Sequence, residues 1–458
     1  MNISVTSGTV AALCFGLGIF WTCASQAKLP QVEHIVIIFQ ENRTPDNLFH
    51  GLKHYLPSAD IADSGVNSKG QTVALTPIPL AGTYDIGHTH GDFLAMYDGG
   101  KMNGADRELC VPYIGTVCTA NAPFHYIRYA DVAPYFDIAR NYGFANRMFQ
   151  TNQGPSFPAH QFIFAGTSQV YADIPLFASE NPSRGPAAGC VAPSDQLVYL
   201  IDPTGKENYR AYPCFEHQTL ADLLDRPPGD PTHPLSWRYY GAPGEGSIWM
   251  APNAIQHICG ATGSPLSCGG PHWTSGDVSL WPAQVLLDIK QKKLATVSWV
   301  TPSGLDSDHA GSNDGSGPSW VASVVNAIGQ SPYWKNTVIF ITWDDWGGWY
   351  DHVAPPIDAT FGFYEYGFRV PLLVVSPYTT AGYVSQSRHD FGSILRFVET
   401  AFNLGRIPPG NFADARADDL SDFFDFTKSP RPFVPIPLKV PASKFLDRTR
   451  AVTAPDND

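Results

Sequence analysis

Acidic residues stand just beyond two apolar runs of this sequence. Glu41 comes shortly after the run at residues 33–39, and Asp344 and Asp345 come shortly after the run at residues 336–342. In an open α/β sheet, ligands bind at the carboxyl ends of the strands, where side chains are also held rigidly. Neighbouring buried carboxylates repel each other and are costly to desolvate unless a cation compensates them. Because a hard divalent metal prefers such oxygen ligands, the pattern predicts a metal site at this edge.

Two simpler interpretations compete with a metal site. Asp344 and Asp345 would also suit a solvated turn, since aspartate is common where a strand gives way to glycine. Glu41 and Asn42 would suit the start of a helix capped by Asn42 or Thr44. Three tryptophans in the same stretch weaken the first alternative, because a hydrophilic turn does not need them. These are Trp343, Trp346 and Trp349.

Two polar stretches contain groups that can transfer protons or bind phosphate. Residues 85–92 hold two histidines and two aspartates, and residues 306–314 form a polar loop after a strand candidate. The second stretch is not a calcium-binding EF-hand, because its fifth and twelfth positions lack the required oxygen ligand and glutamate. A single surface histidine is usually inert, so the role of His88 and His309 depends on where the fold places them.

Ser156 is a candidate nucleophile, since Gly154 and Pro155 before it and Pro158 after it would hold it in a stiff turn. A serine in a proline-rich turn is a weak signal by itself. The sequence contains no Gly-x-Ser-x-Gly elbow, no His-Glu-x-x-His and no Gly-x-x-x-x-Gly-Lys-Ser/Thr loop. These absences disfavour ordinary lipases, zinc proteases and P-loop enzymes.

The elements that must position these groups are indicated by short runs of β-branched and aromatic residues. Continuous apolar runs without alternation are typical of strands covered on both faces of a sheet. The predicted strands are residues 33–39, 295–300, 336–342 and 370–376. Helices are predicted between strands, at residues 320–328 and 391–402. This order predicts an α/β fold with one large sheet.

Composition limits the class of protein. The 458 residues carry a net charge of −13, which disfavours nucleic acid as a general partner. Hydrophobic residues make up 43% of the chain, enough for a large core and too many for a disordered protein. The region around 175–275 is rich in Gly, Pro, Cys and aromatic residues and is predicted to be a loop-rich insertion. Because no linker forces a boundary, we predict a single domain over residues 28–458.

The N-terminal segment reads as a secretory signal peptide over residues 1–27. It has no charged side chain, and its apolar run at residues 10–21 is short for a membrane span and is followed by small residues. The alternative is an uncleaved N-terminal anchor, because the usual Lys or Arg is missing. No other stretch is apolar and long enough to span a bilayer. The mature chain is therefore expected to be secreted or periplasmic.

Six cysteines remain after the predicted signal peptide. They fall in three pairs that are each close in sequence, Cys110/Cys118, Cys190/Cys214 and Cys259/Cys268. An even number in local pairs predicts three disulfides that form in an oxidising compartment. Metal clusters are the competing explanation, but no pair has the two-residue gap typical of zinc ligands.

The sequence resembles the secreted phosphoesterase family that includes bacterial phospholipases C and acid phosphatases. The most specific stretches are Glu-Asn-Arg-Thr-x-Asp-Asn-Leu-Phe from residue 41 and Thr-Trp-Asp-Asp-x-Gly-Gly-x-Tyr-Asp-His from residue 342. The matching segments are residues 34–49, 154–168, 307–311, 331–356 and 368–376. The resemblance implies a three-layer α/β/α sandwich with a large mixed sheet, like that of alkaline phosphatase, carrying loop-rich insertions.

The resemblance also implies roles for individual residues. Glu41, Asp344 and Asp345 match metal-binding acids, and Asn42 beside them would bind the metal or a phosphate oxygen. Ser156 matches the nucleophile, which would be activated by the divalent metal and form a phosphoserine intermediate. Serine at this position is typical of the acid-phosphatase-like members, and threonine is typical of many phospholipase-like members.

Three histidines complete the implied site. His88 and His309 match active-site histidines that would neutralise phosphate oxygens, and His309 would either donate a proton to the leaving group or activate the water that follows. His257 is a weaker correspondence and would contact substrate. The sequence departs from the family after the nucleophile, where Pro158-Ala159-His160-Gln161 replaces the usual Pro-Asn-Arg. The family's substrate contacts on that side are therefore not carried over to this sequence.

The leading functional prediction is a secreted, metal-dependent acid phosphatase that hydrolyses phosphomonoesters. The alternatives are a phospholipase C, which would cut a phospholipid phosphodiester on its glycerol side, and a non-catalytic binding protein that retains the fold. Serine at position 156 and the absence of the C-terminal extension found in many phospholipase-like relatives favour the first. The intact set of metal ligands and nucleophile disfavours the third.

Overall fold

A mixed β-sheet of eight strands forms the centre of the molecule. The computed structural model describes residues 29–112, 117–183, 187–241, 244, 246–357, 364–450 and 453. Within these residues the sheet strands are β1 (His34–Gln40), β2 (Gly143–Ala145), β3 (Trp237–Tyr240), β4 (Val278–Ser279), β5 (Val297–Val300), β6 (Thr337–Trp343), β7 (Leu372–Val375) and β8 (Tyr383–Ser385). Their order across the sheet is β4-β3-β5-β1-β6-β7-β2-β8.

Strand directions bring several carboxyl ends to one edge of the sheet. Strands β3, β4, β5, β1 and β6 run parallel to one another, β7 is antiparallel to β6, and β8 is parallel to β2. The register pairs His34 with Thr337 and Gln40 with Trp343, so β1 and β6 end side by side. The residues that follow these two strands therefore enter the same space.

Helices cover both faces of the sheet. The longer ones are α1 (His90–Tyr97), α2 (Tyr129–Asn141), α3 (Ser156–Ala165), α4 (Leu220–Asp225), α5 (Gln284–Lys290), α6 (Gly317–Gly329) and α7 (Phe391–Phe402). Helix α6 packs against α2 and α5, and α3 packs against α4 and α7. On β6, Trp343 packs on Tyr135 of α2, and Phe340 packs on Phe397 of α7.

Phe340 and Trp343 are three residues apart on one strand, so their side chains point to opposite faces of the sheet. Helices α2 and α7 consequently lie on opposite sides, and the architecture is a three-layer α/β/α sandwich. The side chains of β1 from Ile35 to Phe39 are fully buried, as a strand covered on both faces requires. The predicted α/β class with a large mixed sheet is confirmed.

The predicted core elements are confirmed with small shifts at their ends. The strands predicted at residues 33–39, 295–300, 336–342 and 370–376 are β1, β5, β6 and β7. Helix α7 spans the predicted residues 391–402, and α6 begins three residues before the predicted start. Asp390 caps α7 by accepting the backbone N–H of Ser393, and Ser393 returns a bond to the backbone of Asp390.

The range around 175–275 combines a small sheet with part of the core. An antiparallel four-stranded sheet comprises Gln169–Tyr171, Ile174–Ala178, Val198–Ile201 and Tyr209–Ala211. It covers a separate apolar cluster that includes Phe157, Phe215 and Trp249. Strand β3 also lies in this range, so the region contributes one strand to the central sheet as well as surface structure.

Short elements join and decorate these layers. The paired short strands are Ser64–Val66 with Thr72–Ala74, Thr76–Ile78 with His125–Ile127, Asp85–Ile86 with Cys110–Val111, and Ala261–Thr262 with Ser267–Cys268. The short helices are Pro45–Leu48, Gln256–Cys259, Pro271–Ser275 and Ala413–Arg416.

The cysteine prediction is confirmed. The structure contains the disulfides Cys110–Cys118, Cys190–Cys214 and Cys259–Cys268, which are the three local pairs read from the sequence. The predicted signal peptide over residues 1–27 lies outside the described residues. Among the helices that the structure describes, none has the length and apolar character needed to cross a membrane.

Candidate active site

The segment after β1 turns sharply through Asn42. Asn42 has a φ of 60°, a left-handed conformation that asparagine tolerates better than most residues. The turn lets the N–H of Arg43 donate to the carbonyl of Asp345 at 3.0 Å. Thr44 then caps the helix Pro45–Leu48 by accepting the N–H of Asn47 at 3.1 Å. The capping alternative is therefore correct for Thr44, while Glu41 and Asn42 are left at the sheet edge.

The acids after β6 are fully buried, which excludes the solvated turn. Asp344 and Asp345 have no exposed surface. Asp344 Oδ1 accepts the backbone N–H of Asn42 at 3.0 Å, and Asp345 Oδ1 accepts the N–H of Gly347 at 2.7 Å. Gly347 has a φ of 60°, and a Cβ there would lie 2.6 Å from atoms of Asn42. Only glycine allows the two strand ends to approach this closely.

Helix α3 delivers Ser156 to the same place. Ser156 is the first residue of α3, and its hydroxyl donates to Asp345 Oδ2 at 3.2 Å. Pro158 is tolerated two residues later because the first N–H groups of a helix have no intrahelical partner. The N-terminus of a helix favours negative charge, so this position suits both an ionised hydroxyl and a phosphate.

His160 lies on the next turn of α3 and is close to two of these acids. Residues four apart lie on one helix face, so His160 faces the same way as Ser156. His160 Nε2 lies 3.4 Å from Glu41 Oε1 and 3.8 Å from Asp344 Oδ2. Burial lowers the pKa of His160 to about 4, although the nearby Asp344 opposes this effect. The ring is therefore neutral near pH 7 and can act as a metal ligand.

The group formed by Glu41, His160 and Asp344 fits a divalent metal. Their ligand atoms all lie within 4.8 Å of one another. Among the described residues, neither ring nitrogen of His160 nor Asp344 Oδ2 has a hydrogen-bond partner. Buried polar atoms normally have partners, so these atoms point to a missing ligand. Burial, and then the Asp344 carboxylate, raise the pKa of Asp345, as expected for packed acids whose charge lacks a cation.

The two predicted histidines also lie at this edge. His88 Nδ1 donates to the carbonyl of Ile86 at 2.8 Å, which leaves Nε2 to accept from Asn42 Nδ2 at 3.1 Å. His309 Nδ1 donates to the carbonyl of Ala310 at 2.8 Å. The rings of His88 and His309 are 6.2 Å apart and both residues are buried. Neither is an isolated surface histidine.

Buried polar contacts brace the loop that carries His309. Arg43 Nε donates to the carbonyl of Asp308 at 2.9 Å, and its guanidinium lies 5.0 Å from the Trp349 ring. Asp308 Oδ2 accepts from the hydroxyl of Tyr135 at 2.7 Å and from Trp343 Nε1 at 3.0 Å. Burial raises the pKa of Asp308 to about 6 against these stabilising contacts. Trp343 thus has a hydrogen-bonding role, and Trp349 packs against the Arg43 guanidinium.

A second ionic network lies beyond the turn after β1. Arg369 donates to both carboxylate oxygens of Asp351, at 2.8 and 2.9 Å, and to Asp46 at 3.3 Å. His352 Nδ1 contacts Asp46 at 2.7 Å. All but His352 are fully buried, so the network ties the segment after β6 to the segment after β1. The Asp351-His352 pair of the motif therefore stabilises the segments that carry the site residues and is not part of the Glu41, His160 and Asp344 group.

A pocket of about 550 Å³ adjoins His88 and the N-terminus of α3. Its wall includes His88, Pro155, Glu180 and Glu207. His90 bridges the two acids, because its N–H donates to Glu180 at 3.0 Å and its Nδ1 lies 3.1 Å from Glu207.

The two glutamates of the pocket wall differ in protonation. Burial raises the pKa of Glu207, but hydrogen bonds from His90 and Ser179 outweigh it and leave the pKa lowered. Burial, and then the Glu207 carboxylate, raise the pKa of Glu180 to about 8. Near neutral pH Glu180 therefore keeps its proton, and Glu207 is the one of the two that carries a negative charge.

The structure does not bring His257 to this cluster. His257 Nδ1 lies 2.8 Å from Glu216 and Nε2 lies 3.0 Å from Asp222, so both ring nitrogens are occupied at the surface. These two partners raise its pKa, Asp222 contributing most. The predicted residues Glu41, Asn42, His88, Ser156, His309, Asp344 and Asp345 are all buried at the sheet edge.

His160 was missed by the sequence interpretation, which saw residues 158–161 only as a departure from the family. Its position four residues after Ser156, on a stretch that begins a helix, was the signal that could have found it. The acids Glu180 and Glu207 had no such signal, because they lie in the loop-rich range without a motif.

The sequence was also compared with known protein families and individual proteins. A model described as the phosphoesterase family matches residues 32–405. The non-hemolytic phospholipase C of Burkholderia pseudomallei is 35% identical over 426 residues, covering 81% of this chain and 55% of that protein. The non-hemolytic phospholipase C of Pseudomonas aeruginosa is 24% identical over 469 residues, covering 90% of this chain and 60% of that protein. The chain thus spans little more than half the length of these two relatives.

A shorter relative is covered more fully. Phospholipase C A of Mycobacterium tuberculosis is 24% identical over 448 residues, covering 90% of this chain and 81% of that protein. Among solved structures, a protein in the alkaline phosphatase superfamily from Vibrio parahaemolyticus aligns over 86% of this chain and 71% of its own, with 10% identity and a TM-score of 0.37. Because the family model covers most of the sequence, including both strand-end motifs, the chain belongs to the phosphoesterase family.

Proposed function

We propose that this chain hydrolyses phosphoric esters through Ser156, and that its preferred substrate carries a cationic group on the phosphate. The observation that carries the first part is the position of the Ser156 hydroxyl, 3.2 Å from Asp345 at the N-terminus of α3. A hydroxyl oriented by a carboxylate at a helix N-terminus, beside buried histidines, matches the arrangement of an activated nucleophile.

The chain's own residues account for the positions that the reaction needs. Asp345 orients the Ser156 hydroxyl, whose oxygen forms a bond to phosphorus as the ester oxygen departs with the alcohol. The resulting phosphoserine is then hydrolysed by water. In this proposal Asn42 and His88 hold phosphate oxygens, and His309 gives a proton to the departing alcohol.

The metal site belongs to the same proposal. Glu41, His160 and Asp344 would hold a divalent cation, with Asp345 and Asn42 next to them. When bound, such a cation supplies positive charge that favours the ionised hydroxyl of Ser156 and offsets the charge of the phosphate.

The acidic pocket supports the choice of substrate. A phosphomonoester carries about two negative charges near neutral pH, whereas a phosphodiester carries one. The Glu207 carboxylate in the pocket wall repels the former more strongly and attracts a positively charged substituent such as a quaternary ammonium. A zwitterionic phosphodiester fits both the phosphate position at Ser156 and the acidic wall beside it.

Phospholipase C activity on such a diester is therefore the first candidate. The relatives named above carry the same activity in their names, and the pocket is open enough for a headgroup. Phosphomonoester hydrolysis is the second candidate, favoured by serine at position 156. The three disulfides support an oxidising location for either enzyme.

Parallel assays test the proposal. We expect purified, metal-supplemented protein to hydrolyse p-nitrophenylphosphorylcholine with a higher kcat/KM than p-nitrophenyl phosphate. Glu207→Gln should lower kcat/KM for the choline ester about tenfold and leave the monoester unchanged or improved. Asp230→Asn, which removes one charge from an exposed turn, is the matched control and should change neither.

Two outcomes would contradict the proposal in different ways. A preference for p-nitrophenyl phosphate that Glu207→Gln does not alter would favour the phosphomonoesterase. No hydrolysis of either ester after metal supplementation would favour a non-catalytic protein that retains the fold.

A further inference from the structure

We propose that Arg450 is a positioning residue for the proton donor His309. Its guanidinium binds two aspartates at the ends of the polar loop at residues 306–314, which carries His309. The inference rests on the proposed function, since it concerns how this loop presents a proton donor to the departing alcohol. Arg450 also lies beyond residues 32–405, the part of the chain that the family model matches.

Arg450 forms three short hydrogen bonds to this loop. Its Nη1 donates to both carboxylate oxygens of Asp306, at 2.6 and 2.7 Å, and its Nη2 donates to Asp314 Oδ2 at 2.8 Å. The side chains of Arg450 and Asp306 are 18% and 12% exposed, so this pair is shielded from most of the solvent that weakens surface ion pairs. Hydrogen bonds between charged groups are also stronger than neutral ones. The guanidinium thus joins the two ends of the loop.

The two aspartates lie close to each other and need this cation. The hydroxyl of Ser316 contacts Asp306 Oδ1 at 2.9 Å and also contacts Asp314. The hydroxyl of Ser303 donates to Asp306 Oδ2 at 2.8 Å. These serine contacts are uncharged, whereas Arg450 brings a positive charge to both carboxylates. Without the guanidinium, the two carboxylates would repel each other and loosen the ends of the loop.

Hydrogen bonds within the loop connect its ends to His309. The N–H of His309 donates to the hydroxyl of Ser307 at 3.2 Å, and this hydroxyl donates to the carbonyl of Gly304 at 2.7 Å. On the other side, Asn313 Nδ2 donates to the carbonyl of His309 at 2.6 Å. Gly304 begins the helical turn that the first aspartate ends, and Asn313 directly precedes the second aspartate. A shift of either aspartate would therefore move His309.

Separate contacts hold the segment that carries Arg450. Phe445 is buried, and its ring packs on Trp320 of α6 with the ring centroids 5.3 Å apart. Lys444 Nζ donates to Asp314 Oδ2 at 2.8 Å. Because these contacts do not involve the guanidinium, its removal should leave the segment in place and release the loop. A substitution at Arg450 therefore tests the position of the loop more than the stability of the fold.

Hydrogen exchange measured by mass spectrometry tests the contact without requiring turnover. Peptides that cover residues 306–314 should exchange at least tenfold faster in Arg450→Met than in the parent, because a loop without its charged contacts opens more often. Arg448→Met is the matched control, since Arg448 is exposed, lies two residues earlier and lies over the Trp281 ring at 4.1 Å. It should exchange like the parent, and both variants should keep the parent's metal content.

Two esters with different leaving groups test the consequence for His309. Phenol is a weaker acid than p-nitrophenol, so cleavage of phenylphosphorylcholine depends more on proton donation than cleavage of p-nitrophenylphosphorylcholine. Arg450→Met should lower kcat/KM at least tenfold for the phenyl ester and about threefold or less for the p-nitrophenyl ester. Arg450→Lys keeps the charge but loses the planar fork, so it should lie closer to Arg450→Met than to the parent. Arg448→Met should change neither value.

Two results would overturn the positioning role. Exchange of residues 306–314 at the parent's rate in Arg450→Met would show that Arg450 does not hold the loop. Equal losses for the two esters would show a merely structural role, because a smaller amount of folded enzyme lowers both alike. If Arg450→Met does not fold, Arg450→Lys is used for the same two measurements. Failure of the parent to hydrolyse either ester would refute the proposed function, whereas hydrogen exchange would still decide whether Arg450 holds the loop.

Discussion

Ser156 places a hydroxyl at the N-terminus of α3, and we predict that turnover depends on this hydroxyl. Ser156→Ala should lower turnover by several orders of magnitude, because no other described hydroxyl donates to Asp345. The fold and the metal content should be retained, since the change removes one oxygen at the start of α3. Steady-state kinetics and metal analysis on the same preparation check this expectation.

Trapping the covalent intermediate gives an independent test at the same residue. Acid quenching during turnover of a labelled ester should leave phosphate on the peptide that contains Ser156. Near-normal turnover by Ser156→Ala would mean that water attacks the phosphorus directly, and the nucleophile assignment would be wrong.

His160 is predicted to be a metal ligand. His160→Ala should reduce the metal content of purified protein substantially, because it removes the neutral nitrogen donor from the group with Glu41 and Asp344. His257→Ala is the matched control, since His257 is held at the surface by Glu216 and Asp222. Equal metal content in the two variants, measured by plasma mass spectrometry, would remove His160 from the site.

At the scale of elements, His272 links the end of α4 to the segment before β4. His272 contacts Asp225 and Asp277, at 3.0 and 3.1 Å, and the hydrogen bonds that its ring donates to these carboxylates, Asp225 first, raise its pKa to about 9. Its folded pKa lies above the ordinary value of 6.5. The stabilisation is therefore complete below pH 6.5 and is lost as the pH rises through about 9.

The pH dependence of unfolding tests this link. The Tm of the parent should fall more steeply between pH 6.5 and 9 than the Tm of His272→Asn, which cannot hold the extra proton. The two curves should converge at high pH. Parallel curves over the whole range would show that His272 does not stabilise the fold in this way.

Arg369 holds together the segments that follow β1 and β6. Arg369→Met should lower the free energy of unfolding by about 3–5 kcal/mol, because Asp46 and Asp351 would be left as buried acids without their cation. Arg140→Met is the control, since Arg140 pairs with Asp137 at the surface and should cost at most about 1 kcal/mol. Urea titrations that give equal losses would contradict the bracing role.

At the scale of the whole molecule, metal binding should be visible as stability. A ligand present at 100 times its Kd stabilises the folded state by about 2.7 kcal/mol. Chelation should therefore lower the Tm by a few degrees and abolish activity, and addition of the metal should restore both. Asp344→Asn should lose the Tm response, whereas Ser156→Ala should keep it. Full activity in a verified metal-free preparation would refute the metal assignment.

The sequence by itself determined the elements and much of the chemistry. Continuous apolar runs specified β1, β5, β6 and β7 because strands buried on both faces need apolar side chains throughout. The cysteine pairs were readable because each pair is close along the chain, so few alternative pairings compete. The acids at the ends of β1 and β6 were readable because a strand end is visible as the point where the apolar run stops.

Only the tertiary structure decided which groups meet. The parallel register of β1 with β6 sets Glu41 beside Asp344, and the packing of α3 turns His160 toward them. Glu180 and Glu207 reach the pocket from the small sheet region, more than twenty residues beyond Ser156. Such contacts depend on strand register, helix orientation and loop closure between distant segments. Local propensity and periodicity report none of these, because they act within one element at a time.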